Sequence, residues 1–367
     1  MYKSIKINNF RCFENFSIDK LGRLNLIVGR NNVGKTALLE AIFLHCGAYN
    51  PELALRVNAF RGIESVKVEF AYWTETPWDS LFYNFDSTRT IEITGENSVS
   101  GTKKLKIKIP RQPGELKKIH YALNQHQTQT KEEPDVYKLV PSPAEMAKVL
   151  EFTFEQKNAS VTSYMILDQK GARIEPFPQP PPFPAYFLAS KIKIPFKEAA
   201  EDFGQLEIKG QLEILLDTLR IIEPRLKRVF VLVQGGEPIL HGDLGTGRPI
   251  PLPLMGEGMV KLANIIPKLG RASNGVILID EIDNGLHYSV LEKVWEVIAK
   301  AARMFETQVF ATTHSMDCIV AAHEAFSNSK LYDFRLHRLV RDKETVKTVT
   351  YDKKTLGIAI TSDLEVR

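Results

Sequence analysis

Eight consecutive residues, Gly29-Arg30-Asn31-Asn32-Val33-Gly34-Lys35-Thr36, match the pattern G-x-x-x-x-G-K-[ST]. Glycines at both ends of such a loop let successive backbone N–H groups wrap phosphate oxygens. A helix opening where the loop ends adds the positive end of its dipole. Lys35 then supplies a cation for β- and γ-phosphates, and Thr36 a hydroxyl for a magnesium ion. A phosphate loop needs a second, acidic site for the metal, and Asp280-Glu281 supplies it after the apolar run Val276-Ile277-Leu278-Ile279. Asp280 is the expected metal carboxylate. Glu281, one residue on, can polarise a water for attack on the γ-phosphate. His314, in Thr312-Thr313-His314-Ser315, ends another apolar stretch, where an imidazole can hydrogen-bond the γ-phosphate and report its loss. In isolation an acidic pair is as readily a solvated loop start, and such a histidine a structural one. Their order and spacing after GRNNVGKT favour function.

The elements needed to hold these residues are legible around them. Leu24 to Val28 reads as a buried strand running into the phosphate loop, and Ala37 to Cys46 as a largely apolar helix leaving it. Strand, glycine loop and helix together are an α/β signature. Ser4 to Asn8 and Phe16 to Asp19 read as strands before it. From about Val66 the pattern turns to strands (VKVEFAYW, TIEITG, KLKIKI, VLEFTFEQ, SVTSYMIL), and the proline run Pro176 to Pro184 closes this part as a stiff connector. The expected organisation is an α/β head formed by 1–72 and 185–367, with an inserted antiparallel β region at 73–184. Within the head, AYFLAS (Ala185 to Ser190) reads as a strand and Glu198 to Ile222 as helix. Lys227 to Val233 and Pro238 to His241 make a hairpin at Gly235-Gly236, HYSVLEKVWEVIAKAARMF and Asp317 to Phe326 are helices, and FRLHRLV with TVKTVTYD forms a closing hairpin.

Composition excludes more than it identifies. The chain has 367 residues, 44% hydrophobic and 25% charged, which suits a soluble globular fold. Cys12, Cys46 and Cys318 are dispersed with no CxxC pair, so a reduced, cytoplasmic compartment fits and a disulfide or zinc framework does not. No apolar run approaches the roughly 20 residues that span a bilayer. The net charge of +4 means that any nucleic-acid contact must come from a local patch.

NFRCF, GRNNVGKTALLEAI, VILIDEIDNGLH and ATTHS, in that order, resemble the ABC-type P-loop ATPases of the RecF, SMC and OLD group, most of all the OLD-like AAA-type ATPases of prokaryotes. The resemblance rests on specific motifs over roughly 1–50 and 250–367. It implies an ATPase that uses ATP and Mg2+, with the nucleotide sandwiched between the phosphate loop of one subunit (Gly29 to Ala37) and the signature loop of another. Leu252 to Leu262, LPLMGEGMVKL, lies where that family places its signature, with Gly256 and Gly258 offering backbone amides to the opposing phosphate. Met255 stands where the common form has serine. Glu257 reads either as a helix N-terminal acid or as a catalytic group. The family's glutamine loop should follow AYFLAS, yet Ser190-Lys191 stands there. Asn284 to His287 falls where the family contacts the other subunit, and Arg11 is either a basic contact near nucleotide or an exposed turn residue.

What the resemblance implies for function is a cytoplasmic ATPase whose heads pair around Mg-ATP and gate DNA or a partner protein. Many relatives serve phage defence, so the effector is expected to be a separate protein such as a nuclease. A RecF-like repair factor and a nucleotide-gated scaffold with little turnover are the alternatives. The strictly alternating Lys104-Leu105-Lys106-Ile107-Lys108-Ile109, with Lys103, Arg111, Lys117 and Lys118 nearby, is either a strand that tracks phosphates or a solvated, aggregation-guarding face. Lys191, Lys193 and Lys197 form a smaller cluster with the same two readings. Trp73 and Trp78 either stack on a partner or are buried. His120 and His126 lack matched ligands for a metal.

Overall fold

The computed structural model describes residues 1–62, 76–98, 101–111, 148–157, 159–168, 171–362 and 364–366. The expected strand VKVEFAYW, Trp73, Lys117, Lys118, His120 and His126 lie outside the described residues. The chain opens with β1 (Tyr2–Phe10), β2 (Phe13–Ile18), β3 (Leu24–Val28), α1 (Lys35–Cys46) and α2 (Leu53–Ala59). A run of strands follows: β4 (Ile91–Asn97), β5 (Gly101–Lys108), β6 (Lys148–Gln156), β7 (Ala159–Asp168) and β8 (Gly171–Glu175). Next come β9 (Ala185–Leu188), α3 (Phe196–Ile208), α4 (Leu212–Arg220), β10 (Arg228–Gln234), β11 (Glu237–Asp243), β12 (Ile250–Pro251) and α5 (Glu257–Arg271). The last part holds β13 (Val276–Ile279), α6 (Leu291–Met304), β14 (Gln308–Thr312), α7 (Met316–Ser327), β15 (Phe334–Asp342), β16 (Thr345–Tyr351) and α8 (Lys353–Thr361).

Two compact units divide the chain. One comprises Met1–Ser4, Ile18–Leu39 and Phe183–Arg367, the other Ile5–Ser17 and Glu40–Pro182. This second unit takes in 5–17 and 40–72 beside the expected insertion, of which it holds 73–182.

The first unit is α/β. Its six-stranded sheet has the order β16-β15-β3-β14-β13-β9. β9, β13, β14, β3 and β15 are mutually parallel, with β16 antiparallel at one edge. Strands covered on both faces read as continuous apolar runs rather than alternations. LNLIV, VILI and QVFAT obey this, every residue being buried. α6 turns Leu291, Val294, Trp295, Ile298 and Ala302 inward at helical spacing. Trp295 meets Phe326 and Phe334 edge-on at 6.2 and 6.1 Å between ring centres. Each such aromatic contributes roughly 1.5–3 kcal/mol through burial.

Two expectations for this unit need correction. The helix read from Glu198 to Ile222 is two helices, because Gly210 takes φ +66°, which ends α3 before α4 begins. The closing hairpin is followed by α8, which is opened by a capping box between Asp352 and Thr355.

The second unit is built on a seven-stranded sheet of order β2-β1-β4-β5-β6-β7-β8, antiparallel from β4 to β8. Leu105 and Ile107 of β5 are buried, and Lys104, Lys106 and Lys108 face the other side. Those lysines are not a bare basic stripe. Lys104 pairs with Glu92 at 3.1 Å, Lys106 with Glu155 at 2.7 Å and Lys108 with Glu151 at 3.6 Å, each on a neighbouring strand. Cross-strand neighbours of opposite sign cancel the field that would attract a phosphate backbone. Of the two readings of this strand, the pairing favours a charge-balanced, solvated sheet face over one that tracks phosphates. Trp78 is fully buried, so it packs rather than stacking on a partner.

Arg11 is likewise internal to this unit. It donates to Glu40 Oε2 at 3.2 Å, to the Ser80 carbonyl at 3.0 Å and to Asn58 Oδ1 at 2.8 Å, and Glu40 itself is wholly buried. A buried carboxylate needs such partners, which makes Arg11 structural. Among the described residues no helix is long and apolar enough to cross a membrane.

Candidate nucleotide site

β3, β14 and β13 are adjacent and parallel, so their carboxyl ends open on one edge of the sheet. In open α/β sheets that edge is where ligands bind. β3 ends in the phosphate loop, β13 in Asp280 and Glu281, and β14 in the segment carrying His314. The topology thus gathers three motifs spread over almost 290 residues of sequence.

The loop has the geometry its glycines suggest. Gly29 takes φ +142°, and an added Cβ there would lie 2.6 Å from the Leu339 carbonyl and 2.9 Å from Val33. Gly34 takes φ +111°, and Asn32 the left-handed φ of +59°. Arg30, Asn31 and Asn32 are exposed, whereas Val33 and Ala37 are buried and anchor the loop to the unit. The first turn of α1 carries no acidic residue, so the positive end of its dipole is left for an anion.

Lys35 is 6% exposed, and its ammonium donates to the carbonyls of Gly29 at 2.8 Å and Arg30 at 3.0 Å. Burial pushes its pKa down to about 8, against the opposing pull of Asp280 and Glu281. His314 Nδ1 lies 3.4 Å from the same ammonium. An ammonium has only donors, so Nδ1 must accept and the ring proton sits on Nε2. Desolvation first, and then the Lys35 charge, lower the His314 pKa, which keeps the imidazole neutral.

Thr36 Oγ1 is 3.2 Å from each Asp280 carboxylate oxygen. Sequence reasoning missed the next shell. Thr312 Oγ1 donates to Asp280 Oδ1 at 2.7 Å and accepts from the Glu281 N–H at 2.8 Å, so one hydroxyl positions both acids. Its position at the very end of a fully buried strand was the available signal. Ser190 Oγ, at the place expected of the glutamine loop, is 3.5 Å from Asp280 Oδ2. Asp283 accepts from Thr313 at 2.6 Å. Glu281 takes φ +52°, and its Oε2 accepts from Asn284 Nδ2 at 2.5 Å. A hydroxyl and a carboxylate converging with only oxygen donors fit a small hard cation such as magnesium.

The signature segment belongs to the same unit. Gly256, at φ +114°, is the N-cap of α5, and Leu254, Gly256 and Glu257 are exposed. Gly258 is buried, and a Cβ there would come within 2.8 Å of the Gly285 carbonyl. The stem of Glu257 lies over Gly285 in turn. The expectation that both glycines offer amides is corrected for Gly258, which is buried and serves close backbone packing against the loop after Glu281; Gly256 alone of the two is exposed.

The chain is similar to several known proteins. An ATP/GTP phosphatase of Helicobacter pylori is 23% identical over 378 residues, covering 96% of this chain and 95% of its own. The OLD nuclease of Thermus scotoductus is 40% identical over 94 residues, which are 26% of this chain and 14% of that one. A crystal structure of an SMC head bound to the C-terminal winged-helix domain of ScpA overlays with a TM-score of 0.49 at 10% identity, covering 96% of this chain and 97% of that one. Residues 24–319 match the family described as "AAA domain, putative AbiEii toxin, Type IV TA system" (AAA_21). That match spans the phosphate loop, the acidic strand end and His314, and by it the chain belongs to the AAA_21 family and is an ATPase.

Proposed function

We propose that the chain binds and hydrolyses Mg-ATP at the edge where β3, β13 and β14 end, and that two copies pair around the nucleotide. The observation carrying this reading is the convergence of Lys35, Thr36, Asp280 and Thr312 at that edge. The full-length likeness to an ATP/GTP phosphatase supports the hydrolytic part.

In this reading the amides of Gly29 to Ala37 and the α1 N-terminus hold the phosphates, and Lys35 turns from its own loop carbonyls to the β- and γ-phosphate oxygens. Thr36 and Asp280 would hold magnesium, which supplies charge neutralisation on those oxygens when bound. Glu281 accepts the proton of the attacking water, and the Nε2–H of His314 donates to the γ-phosphate. Gly256 presents its backbone amide to the nucleotide of the second copy, and the buried Gly258 seats the start of α5 on the loop after Glu281. Met255 has no hydroxyl to add, so recognition there rests on main chain.

Pairing and separation of heads would gate a partner. By analogy with the OLD group we assign the chain to the ATPase part of a cytoplasmic defence system acting through a separate effector such as a nuclease; this rests on family analogy.

The decisive comparison is Glu281→Gln against the parent. The glutamine variant is expected to bind ATP normally, lose at least about a hundredfold in turnover, and accumulate as an ATP-dependent dimer in light scattering. Equal turnover in the two proteins would remove Glu281 as the base and favour a nucleotide-gated scaffold. Dimer formation without ATP would break the sandwich reading.

A further inference from the structure

Lys261 lies on α5, the helix that Gly256 opens, yet its ammonium reaches back to the catalytic loop. It donates to the Glu281 carbonyl at 2.5 Å and to the Asn284 carbonyl at 3.0 Å. Glu281 sits in the left-handed region, where a residue bearing a Cβ persists only if its surroundings hold it. Thr312 accepts from its N–H, and its carbonyl accepts from Lys261 as well as from the Asn284 N–H at 3.2 Å. Asn284, whose carbonyl Lys261 also holds, is the residue that grips the Glu281 carboxylate. One ammonium thus fixes the backbone of the base and the backbone of its side-chain partner. Asp283, Glu257 and Glu281 supply the negative charge that keeps a desolvated ammonium there. The close approach of Gly258 to Gly285 leaves α5 little room to shift without carrying this loop along.

We propose that Lys261 is a positioning residue that couples the Gly256 loop to the Glu281 carboxylate. It transmits how the signature segment is engaged by the second copy to the group that takes the proton from water. The proposal rests on Glu281 being the base. A lysine that merely staples a helix to a loop would affect stability and leave turnover per folded molecule alone.

The test measures kcat at saturating ATP, nucleotide Kd and the melting temperature for Lys261→Met, Lys261→Gln and Lys261→Arg, each alone and with Glu281→Gln. Lys261→Met is expected to lower kcat at least about tenfold, the scale of a misplaced catalytic group, with Kd within about twofold of the parent. Lys261→Gln keeps an uncharged amide donor on a shorter side chain, so an intermediate kcat is expected, and it remains readable if the methionine variant does not fold. Lys261→Arg keeps paired donors and is expected to restore most of the rate. In the Glu281→Gln background none of the three should lower the residual rate further, because the group through which Lys261 acts is gone. A kcat within threefold of the parent for Lys261→Met, or one indistinguishable from the parent for Lys261→Gln, overturns the proposal while Glu281→Gln remains inactive. So does a loss that persists in full in the Glu281→Gln background. If Glu281→Gln itself turns over normally, the base assignment fails first, and that result is visible without any Lys261 variant.

Discussion

Lys35 and Lys106 carry the same side chain and meet opposite circumstances. Lys35 is buried at the end of a parallel sheet, bonded to main-chain carbonyls, with burial pushing its pKa down to about 8. Lys106 lies on the outer face of an antiparallel sheet, where the hydrogen bond to Glu155 raises its pKa. One is an ammonium held at a cost until an anion arrives; the other is already neutralised. What separates the lysine we propose for phosphate from a solubilising one is therefore the partner set and the burial, since sequence neighbours make both look available.

The contrast is broken most directly by removing each lysine in turn. Lys35→Ala is expected to weaken ATP binding at least about a hundredfold, because a desolvated, charge-assisted contact to phosphate is lost. Lys106→Ala should leave the affinity within twofold, and titration calorimetry distinguishes the two. A normal affinity in Lys35→Ala would sink the phosphate-site assignment.

The next effect is on stability and its sign is opposite to intuition. The unfolded lysine keeps its proton up to about pH 10.5, whereas in the native chain Lys35 releases it near 8. Between those values the unfolded state binds more protons, so the native state gains stability as pH rises through that window. At pH 7 the cost of burying the ammonium is present in full. Lys35→Met should therefore melt about 1–2 °C higher than the parent at pH 7, the shift that about 1 kcal/mol produces in a chain of 367 residues, and the gap should close toward pH 10.5. A lower melting temperature for the methionine variant would mean that the bonds to Gly29 and Arg30 outweigh burial.

Gly256→Ala sharpens the comparison from the signature side. A Cβ there meets nothing within 4 Å, so the cost is the φ of +114° alone, about 1–3 kcal/mol for a non-glycine residue. The variant is expected to unfold at lower urea concentration, with turnover reduced more than ATP affinity. Unaltered turnover would show that the loop does not act on the second copy. The smallest effect belongs to Lys106→Ala, whose half-exposed ion pair should contribute under about 1 kcal/mol in chemical denaturation.

Much of the site was readable beforehand for a physical reason. The phosphate loop is a local motif: its glycines, lysine and threonine act through a contiguous backbone, so spacing alone specifies them. β3, β13 and β14 were readable because buried parallel strands are apolar throughout. Long-range partners were not readable. Thr312, Ser190, Asp283 and Lys261 are ordinary residue types whose meaning depends on what lies across a strand or a loop. The split of α3 from α4 at Gly210 was missed because apolar spacing continues across it. The lysines of β5 looked like a basic stripe because the glutamates that face them sit on β4 and β6.

By itself, the sequence determined the phosphate loop, the acid pair, the histidine and the α/β character of the unit that carries them, since each depends on residues close together in the chain. Only the tertiary structure decided which side chains stand around Asp280 and Glu281, that Arg11 and Trp78 are internal, and that Lys104, Lys106 and Lys108 are matched in charge. Burial and hydrogen-bond partners are set by strands that pair across tens to hundreds of residues, and no local pattern carries that information.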